Sequence, residues 1–395
     1  MTQTVLLGDL VDVIKGISYR SADYSVKGKG KAFINLKCVG RGGGFRFDGI
    51  KYYAGKMKLS QMTNAGDILI ANTDLTQDRE VIGSPIIMPE LGEEACFSLD
   101  LSKLEIKNDS KIDKDYLFYY LKSPLARDYM IAHSSGSTVM HLSVKSVPSM
   151  PILLPSIEEQ RYIGQQLKLI DEKIELNRKM NETLEQMGQA LFRHYFITNP
   201  AAKTWSIGTI SDLGQVITGK TPSKTRGDFY GNDVPFLKVP DMHNQTIIIN
   251  TADNLSTLGA NSQANKYIPK WSTTVSCIAT VGVISLAGKE MQTNQQINSV
   301  IPKNENYTFF NYFVLTSKKP TLRSMASSGS AVPNLNKAHF ENINIVIPSE
   351  TLLEEFQHGI KSIFKIIETN LQEIQTLTTL RDTLLPRLIS GKLKV

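Results

Sequence analysis

The octapeptide Ser135-Gly136-Ser137-Thr138-Val139-Met140-His141-Leu142 returns 193 positions later as Ser328-Gly329-Ser330-Ala331-Val332-Pro333-Asn334-Leu335. At the same offset Met150-Pro151-Ile152-Leu153-Leu154-Pro155 matches Ile343-Asn344-Ile345-Val346-Ile347-Pro348. Earlier in each half the match drifts. Leu10 to Gly16 resembles Leu213 to Gly219 at offset 203, and Ile70-Ala71-Asn72 resembles Ile278-Ala279-Thr280 at offset 208. One such match could be chance, but four in the same order mark an internal duplication with a shared frame and a diverged interior. A chain of 395 residues is also too long for one ordinary domain.

Within each half, short apolar runs bounded by Gly, Asn, Asp and Pro read as strands, for example Asp67 to Ala71 and Ser276 to Thr280. Helical stretches are embedded among them at Lys114 to Tyr120 and Asn311 to Thr316. After the Ile-x-x-Pro segment of each half the period changes. Ile163, Leu167, Ile170, Ile174, Asn177, Leu184 and Leu191 follow the 4-and-3 spacing of a heptad seam. Adding 193 turns each into a seam position of the second half: Phe356, Ile360, Ile363, Ile367, Asn370, Leu377 and Leu384, with Ile374 on the same seam. The expected fold is α/β (α+β). It has two similar domains, 1–155 and 201–349, and two helical spacers, 156–200 and 350–395. The long helices pack as an antiparallel coiled coil. Buried asparagine lowers stability but fixes register, so Asn177 is expected near Asn370; an asparagine facing solvent is the other reading. A helix of about 40 residues spans roughly 60 Å, so the pair would separate two domains by about one to two turns of a DNA duplex.

Charge is distributed unevenly. The net formal charge of +6 divides into +2 for 1–155, −1 for 156–200, +5 for 201–349 and zero for 350–395. The positive excess lies in the two globular segments, where a polyanion would be attracted. Cys38, Cys96 and Cys277 have no C-x-x-C spacing, which fits a reducing cytoplasm better than a disulfide framework or a cysteine zinc site. The sequence has no apolar run long enough for a membrane span and no signal-like start.

The linker Pro155-Ser156-Ile157-Glu158-Glu159-Gln160 through Leu167, Ile170-Asp171, Ile174, Asn177, Leu184-Glu185 and Leu191-Phe192 resembles the central helical region of type I restriction-modification specificity subunits. The run Leu380 to Gly391 is similar to the ending of that family. Gly8-Asp9-Leu10 with Ile14-Lys15-Gly16, and Ile210 to Gly219, resemble the openings of its two target-recognition domains. The sequence departs from the family pattern at His194-Tyr195-Phe196, where a Trp-Phe pair is usual, and at Leu352 to Phe356, which lacks the Glu-Gln pair. The resemblance implies that each domain reads one half of a split, asymmetric site in double-stranded DNA, with the helices setting the gap. Two modification subunits, adenine methyltransferases, would bind the helices, and restriction (translocase) subunits would join them. S-adenosylmethionine, ATP and magnesium would belong to those partners, and no cofactor or catalytic residue to this chain.

The sequence carries only weak matches to catalytic motifs. Asn199-Pro200-Ala201-Ala202 lacks the second proline and the aromatic residue of an adenine-methyltransferase turn, and Thr218-Gly219-Lys220-Thr221 lacks the upstream glycine of a phosphate loop. Pro89-Glu90 with Glu105-Ile106-Lys107 loosely matches a nuclease pattern of a kind common by chance, and the six histidines are scattered. A nuclease or methyltransferase with an unfamiliar site, and a DNA-independent adaptor, are the alternatives.

Candidate DNA contacts are basic or hydroxylic residues on Gly-rich segments. In the first half they are Tyr19, Arg20, Lys27, Lys29, Lys31, Arg41, Arg46, Ser135 and Ser137; in the second they are Lys220, Lys224, Arg226, Lys238, Ser328 and Ser330. Such loops approach phosphates closely, and arginine can bind a guanine edge with two hydrogen bonds. Solvated surface loops share this composition, so both readings stand at this level.

Overall fold

The computed structural model describes residues 3–327 and 333–394. Packing divides the chain into two units: residues 1–174 with 376–395, and residues 175–375. Each unit therefore contains a segment of both long helices.

In the first unit the strands Val11–Lys15, Leu101–Ile106, Ile68–Ala71 and Pro85–Ile87 form an antiparallel sheet in that order. All four residues of Ile68–Ala71 are buried, which is why this strand reads as a continuous apolar run. A second sheet is ordered Tyr24–Ser25, Lys51–Tyr53, Lys31–Ile34, Ala95–Phe97 and Met62–Thr63, with Lys31–Ile34 and Ala95–Phe97 parallel. Gln3–Leu6 pairs with Pro151–Leu154. Two short helices, α1 (Lys114–Lys122) and α2 (Pro124–Ala132), are delimited by their caps. Asp113 accepts from the Tyr116 N–H, while Ser123 ends α1 and caps α2, whose first residue is proline.

The second unit repeats this plan. Gly214–Thr218, Ile297–Pro302, Thr273–Ser276 and Ile284–Ala287 are ordered as in the first sheet, with Ile247–Ile248 added at the edge. Asp253–Leu255, Tyr230–Leu237, Met291–Thr293 and Tyr267–Ile268 match the second, including the parallel pair. Ser206–Thr209 pairs with Asn344–Ile347.

Pairing register corrects one detail of the sequence repeat. Ile70 lies opposite Ser102 and Pro85, and Val275 lies opposite Asn298 and Ile284. Ile70-Ala71-Asn72 therefore corresponds to Val275-Ser276-Cys277 rather than to Ile278-Ala279-Thr280. The strand stops at Ser276, and Ala279 sits at φ 63° in the loop beyond it. The corrected match extends to side chains. Asn72 donates to Ser102 Oγ, and in the second unit Asn298, the counterpart of Ser102, donates to Cys277 Sγ.

The long helices are α3 (Ile157–Phe192) and α8 (Glu350–Ile389); between them lie α4 (Thr257–Asn261), α5 (Thr308–Ser317), α6 (Lys319–Ser327) and α7 (Lys337–Glu341). A capping box starts α3: Glu159 N–H donates to Ser156 Oγ, and Ser156 N–H donates to the Glu159 carboxylate. In the first unit Ile163 and Leu167 of α3 share a core with Leu384, Leu385, Leu388 and Ile389 of α8. In the second, Phe192 and Leu184 share one with Leu353, Phe356, Ile360 and Phe364. The start of α3 thus meets the end of α8, and its end meets the start of α8, so the pair is antiparallel.

Of the remaining seam positions, Ile174, Asn177, Ile363, Ile367 and Asn370 are buried, and Ile170, Leu191, Ile374 and Leu377 are half-buried. Both asparagines avoid solvent, but each takes a partner other than its counterpart. Asn177 Nδ2 donates to Glu373 at 2.7 Å and Asn370 Nδ2 donates to Asn181 Oδ1 at 2.8 Å. The two asparagines do not bond each other; each bonds a residue about one helical turn from its counterpart. A carboxylate and a third amide, neither recognisable from the heptad pattern, supply the bonds.

Helix docking differs chemically between the units. Gln160 accepts from Asp113 N–H and donates to the Lys111 and Pro155 carbonyls. Asp171 is bonded by Tyr119, Lys122 and Arg381. At offset 193 these positions are Leu353 and Phe364, and Phe364 packs on Phe309 with ring centroids 4.3 Å apart. One junction is polar and the other aromatic.

Candidate nucleic-acid interface

The predicted DNA contacts of the first unit fall on four regions. Tyr19 and Arg20 follow the strand Val11–Lys15, and Tyr19 Oη donates to Asp100 at 3.5 Å. The Tyr24 hydroxyl, burial and Asp100 together push the Tyr19 phenol far above its ordinary range. Lys27 and Lys29 are exposed around the turn closed by the Lys29 N–H to Val26 carbonyl bond, and Lys31 begins the next strand, paired with Glu94. Arg41 lies at the head of a turn in which Gly42, Gly43 and Gly44 all have positive φ, a conformation that side chains resist. Its guanidinium is 3.2 Å from Glu80. Ser135 and Ser137 are exposed on the hairpin formed by Ser134–Ser135 and Met140–Leu142.

Arg46 and Arg226 share a local device. Each precedes a short 3-10 turn and directs Nε and Nη2 onto the carboxylate two residues ahead. Arg46 bonds Asp48 at 3.1 and 2.7 Å, and Arg226 bonds Asp228 at 2.8 and 2.6 Å. The guanidinium holds each carboxyl below its usual range. A carboxylate gripping one edge of an exposed guanidinium fixes its plane and leaves the Nη1 side to donate outward. In the second unit Lys220 and Lys224 are exposed, and Lys238 is half-buried and paired with Asp253. Ser328 and Ser330 lie outside the described residues. The ammonium groups of Lys27, Lys29, Lys220 and Lys224 have no ion-pair partner among the described residues.

Sequence reasoning missed the loop between Ala71 and Pro85, which touches two of these regions. Gly42 N–H donates to the Glu80 carbonyl at 2.9 Å, and Thr73 and Asp74 pair with His141 and Met140 of the hairpin. Leu75, Gln77, Asp78 and Arg79 are exposed on it. An alternating or periodic pattern would have drawn attention to it; a buried aspartate organising a loop leaves no such trace.

Lys107 donates to the Gly8 carbonyl and pairs with Asp12 at 3.3 Å. Cys38, Cys96 and Cys277 are buried, which pushes their thiols up to about 11, 12 and 12. Among the described residues no three His, Cys, Asp or Glu side chains gather as a metal site, and no helix is long and apolar enough to cross a membrane.

A family model described as "Type I restriction modification DNA specificity domain" matches residues 2–186 and 202–381. The chain belongs to this family. The Haemophilus influenzae type I restriction enzyme HindI specificity subunit is 37% identical, with 71% of this chain and 77% of that protein covered. The Methanocaldococcus jannaschii MjaIX specificity subunit is 26% identical, covering 71% and 69% respectively. In fold the chain is similar to a type I restriction-modification S subunit from M. genitalium, with a TM-score of 0.65 at 15% identity, covering 98% of this chain and 96% of that one. As a member of this family the chain is a non-catalytic specificity subunit. It binds DNA sequence-specifically and recruits the modification and restriction subunits of a type I complex.

Proposed function

We propose that each unit reads one half of a split, asymmetric duplex site, and that α3 and α8 set the unread gap between the halves. The observation that carries this reading is the duplicated frame with unlike loops. Sheet order, parallel pair and helix positions repeat from unit to unit, while the Arg-x-Asp pair follows the strand Lys31–Ile34 in one unit and precedes Tyr230–Leu237 in the other. Equal frames with unequal reading groups suit two different half-sites.

Arg46 and Arg226, held in plane by their aspartates, are suited to guanine edges, whereas Lys27, Lys29, Lys220 and Lys224 are suited to phosphates. Tyr19, Arg20, Lys31, Arg41, Lys238 and the Ser135–Ser137 turn complete the contact surface, and Ser328 and Ser330 are assigned to it by the repeat. In linear terms the readers are 1–155 and 201–349 and the spacers 156–200 and 350–395. Two adenine methyltransferase subunits bind the helical spacers, and restriction/translocase subunits join that core. Exposed Leu176, Met180 and Met187, at helical spacing along α3, supply apolar area for such contacts. S-adenosylmethionine, ATP and magnesium act on the partner subunits, and the complex works in the cytoplasm.

The test is to co-express the chain with its modification subunit and map methylated adenines by long-read sequencing. A two-part motif with a fixed gap is expected. Methylation without such a motif would count against the proposal.

A further inference from the structure

The strand pairs Ile68–Ala71/Pro85–Ile87 and Thr273–Ser276/Ile284–Ala287 occupy the same place in the two units, with Ile70 opposite Pro85 and Val275 opposite Ile284. The loop joining each pair closes in the same way. Gly83 and Gly282, two residues before the returning register positions, have φ of 67° and 87°. Their N–H groups donate to the Ala71 and Ser276 carbonyls at 2.8 and 3.0 Å. Both closures therefore require a left-handed residue.

Directly before each glycine, a carbonyl accepts from an arginine. Arg127 of α2 donates through Nη1 to the Ile82 carbonyl, and Arg323 of α6 donates through Nε to the Val281 carbonyl at 3.3 Å. Each arginine follows a proline by three residues, in Pro124-Leu125-Ala126-Arg127 and Pro320-Thr321-Leu322-Arg323. The latch is thus part of the duplicated frame, although its two members lie at different offsets, 196 for the arginines and 199 for their acceptors.

Between these fixed points the loops have diverged. Residues 72–84 connect the strands of the first unit, and only 277–283 those of the second. In the longer loop fully buried Asp74 accepts from Thr76 N–H and Oγ1 and from the Val81 and Ile82 N–H groups at 2.6–2.7 Å. Arg127 Nη2 adds a bond to the Arg79 carbonyl at 3.0 Å, and Arg79 itself sits at φ 55°. A non-glycine residue persists there only where its surroundings over-determine the backbone. Asp74 and Arg127 supply that constraint through separate backbone groups, Asp74 on N–H groups and Arg127 on carbonyls. The resulting tip exposes Leu75, Gln77, Asp78 and Arg79. A methyl-bearing, an amide and a guanidinium side chain are the chemistries that meet thymine, adenine and guanine edges in the major groove.

We propose that loop 74–81 is a specificity-determining loop of the first unit, with Leu75, Gln77 and Arg79 reading base edges of duplex DNA. Arg127 is the positioning residue that sets it. Arg323 plays the equivalent part for the shorter loop 277–281. Arg127 acts through the loop backbone, because both Nη groups are taken by carbonyls. A loop ordered before binding forfeits less freedom on the duplex than a slack one. This inference rests on the reading of each unit as reader of one half-site.

The experiment uses the full chain with its modification subunit on a duplex library randomised at both half-sites. Gln77→Ala and Arg79→Ala should relax preference at individual positions of one half-site by roughly 5- to 150-fold, leaving the other half-site unchanged. Arg127→Met should relax the same positions while the salt dependence of non-specific binding is kept, and Arg127→Lys should restore part of the preference. Two results would overturn the proposal: both tip variants keeping the parental motif, or Arg127→Met lowering methylation of all sequences equally. If Arg127→Met fails to fold, the exposed tip variants decide alone. An unmodified chain that yields no two-part motif would instead defeat the half-site reading, an outcome separate from these.

Discussion

Asp171 of α3 accepts from Arg381 of α8 at 2.7 Å on one oxygen, and its other oxygen accepts from Lys122 of α1 at 3.1 Å and Tyr119 at 3.0 Å. One carboxylate ties three helices of the first unit. Burial alone would raise its pKa, but the Lys122 charge and the Arg381 bond outweigh that and hold it below the usual range.

Asp171→Asn should therefore destabilise the first unit by about 2 kcal/mol or more, since buried Lys122 loses its counter-charge and Arg381 keeps only that of Asp382. A depressed carboxylate contributes fully above its ordinary range near pH 4, and its contribution is lost as pH falls through the lower folded value. Melting curves should show the deficit of the variant at pH 7 and its disappearance in strong acid. An equal deficit at both pH values would contradict the assignment.

Glu185 behaves in the opposite sense. Burial pushes its carboxyl up, against the hydrogen bond from Thr246. Its contribution is complete below the ordinary carboxyl range and is lost as pH rises through the raised value, so the ionised form strains the second unit at neutral pH. Glu185→Gln, which keeps the acceptor for Thr246, should stabilise the chain at pH 7 by on the order of 0.5–1 kcal/mol and change little at pH 4. Thermal denaturation at the two pH values checks this.

The Asn370–Asn181 bond predicts non-additivity. Replacing either residue by leucine should cost about 1–3 kcal/mol, because the remaining buried amide loses its partner. Replacing both should cost less than either single change or stabilise the chain, as apolar pairs do at such seams. Denaturant titrations of the two single variants and the double variant complete the cycle; additive costs would count against the pairing.

Arg46 and Lys29 should differ in kind. Arg46→Met should alter the methylated motif, at a cost of about 1–3 kcal/mol for the affected base. Lys29→Gln should weaken binding to every sequence and lower the salt slope by about one. Binding isotherms over a range of salt, together with motif mapping, separate the two behaviours.

The duplication, the antiparallel helices and the family were legible because periodicity and terminal motifs survive divergence. Ile163, Leu167, Phe356 and Ile360 are buried seam residues readable from spacing alone. The polar contacts were not. Glu373 and Asn181 bond the seam asparagines, yet heptad notation gives no sign that they do. Loop 74–81 escaped notice because its order comes from one buried carboxylate and an arginine about fifty positions away, and neither shapes local composition. The 208-residue match failed for a related reason. A short Ile-Ala pair recurs easily, and only the strand register shows which copy is equivalent.

Residues 376–395 pack with residues 1–174, whereas 175–375 form an uninterrupted stretch. The second unit is contiguous in sequence and the first is not. Cutting the chain near residue 375 would spare every residue of the second unit and strip Arg381, Leu385 and Leu388 from the first, leaving its core open.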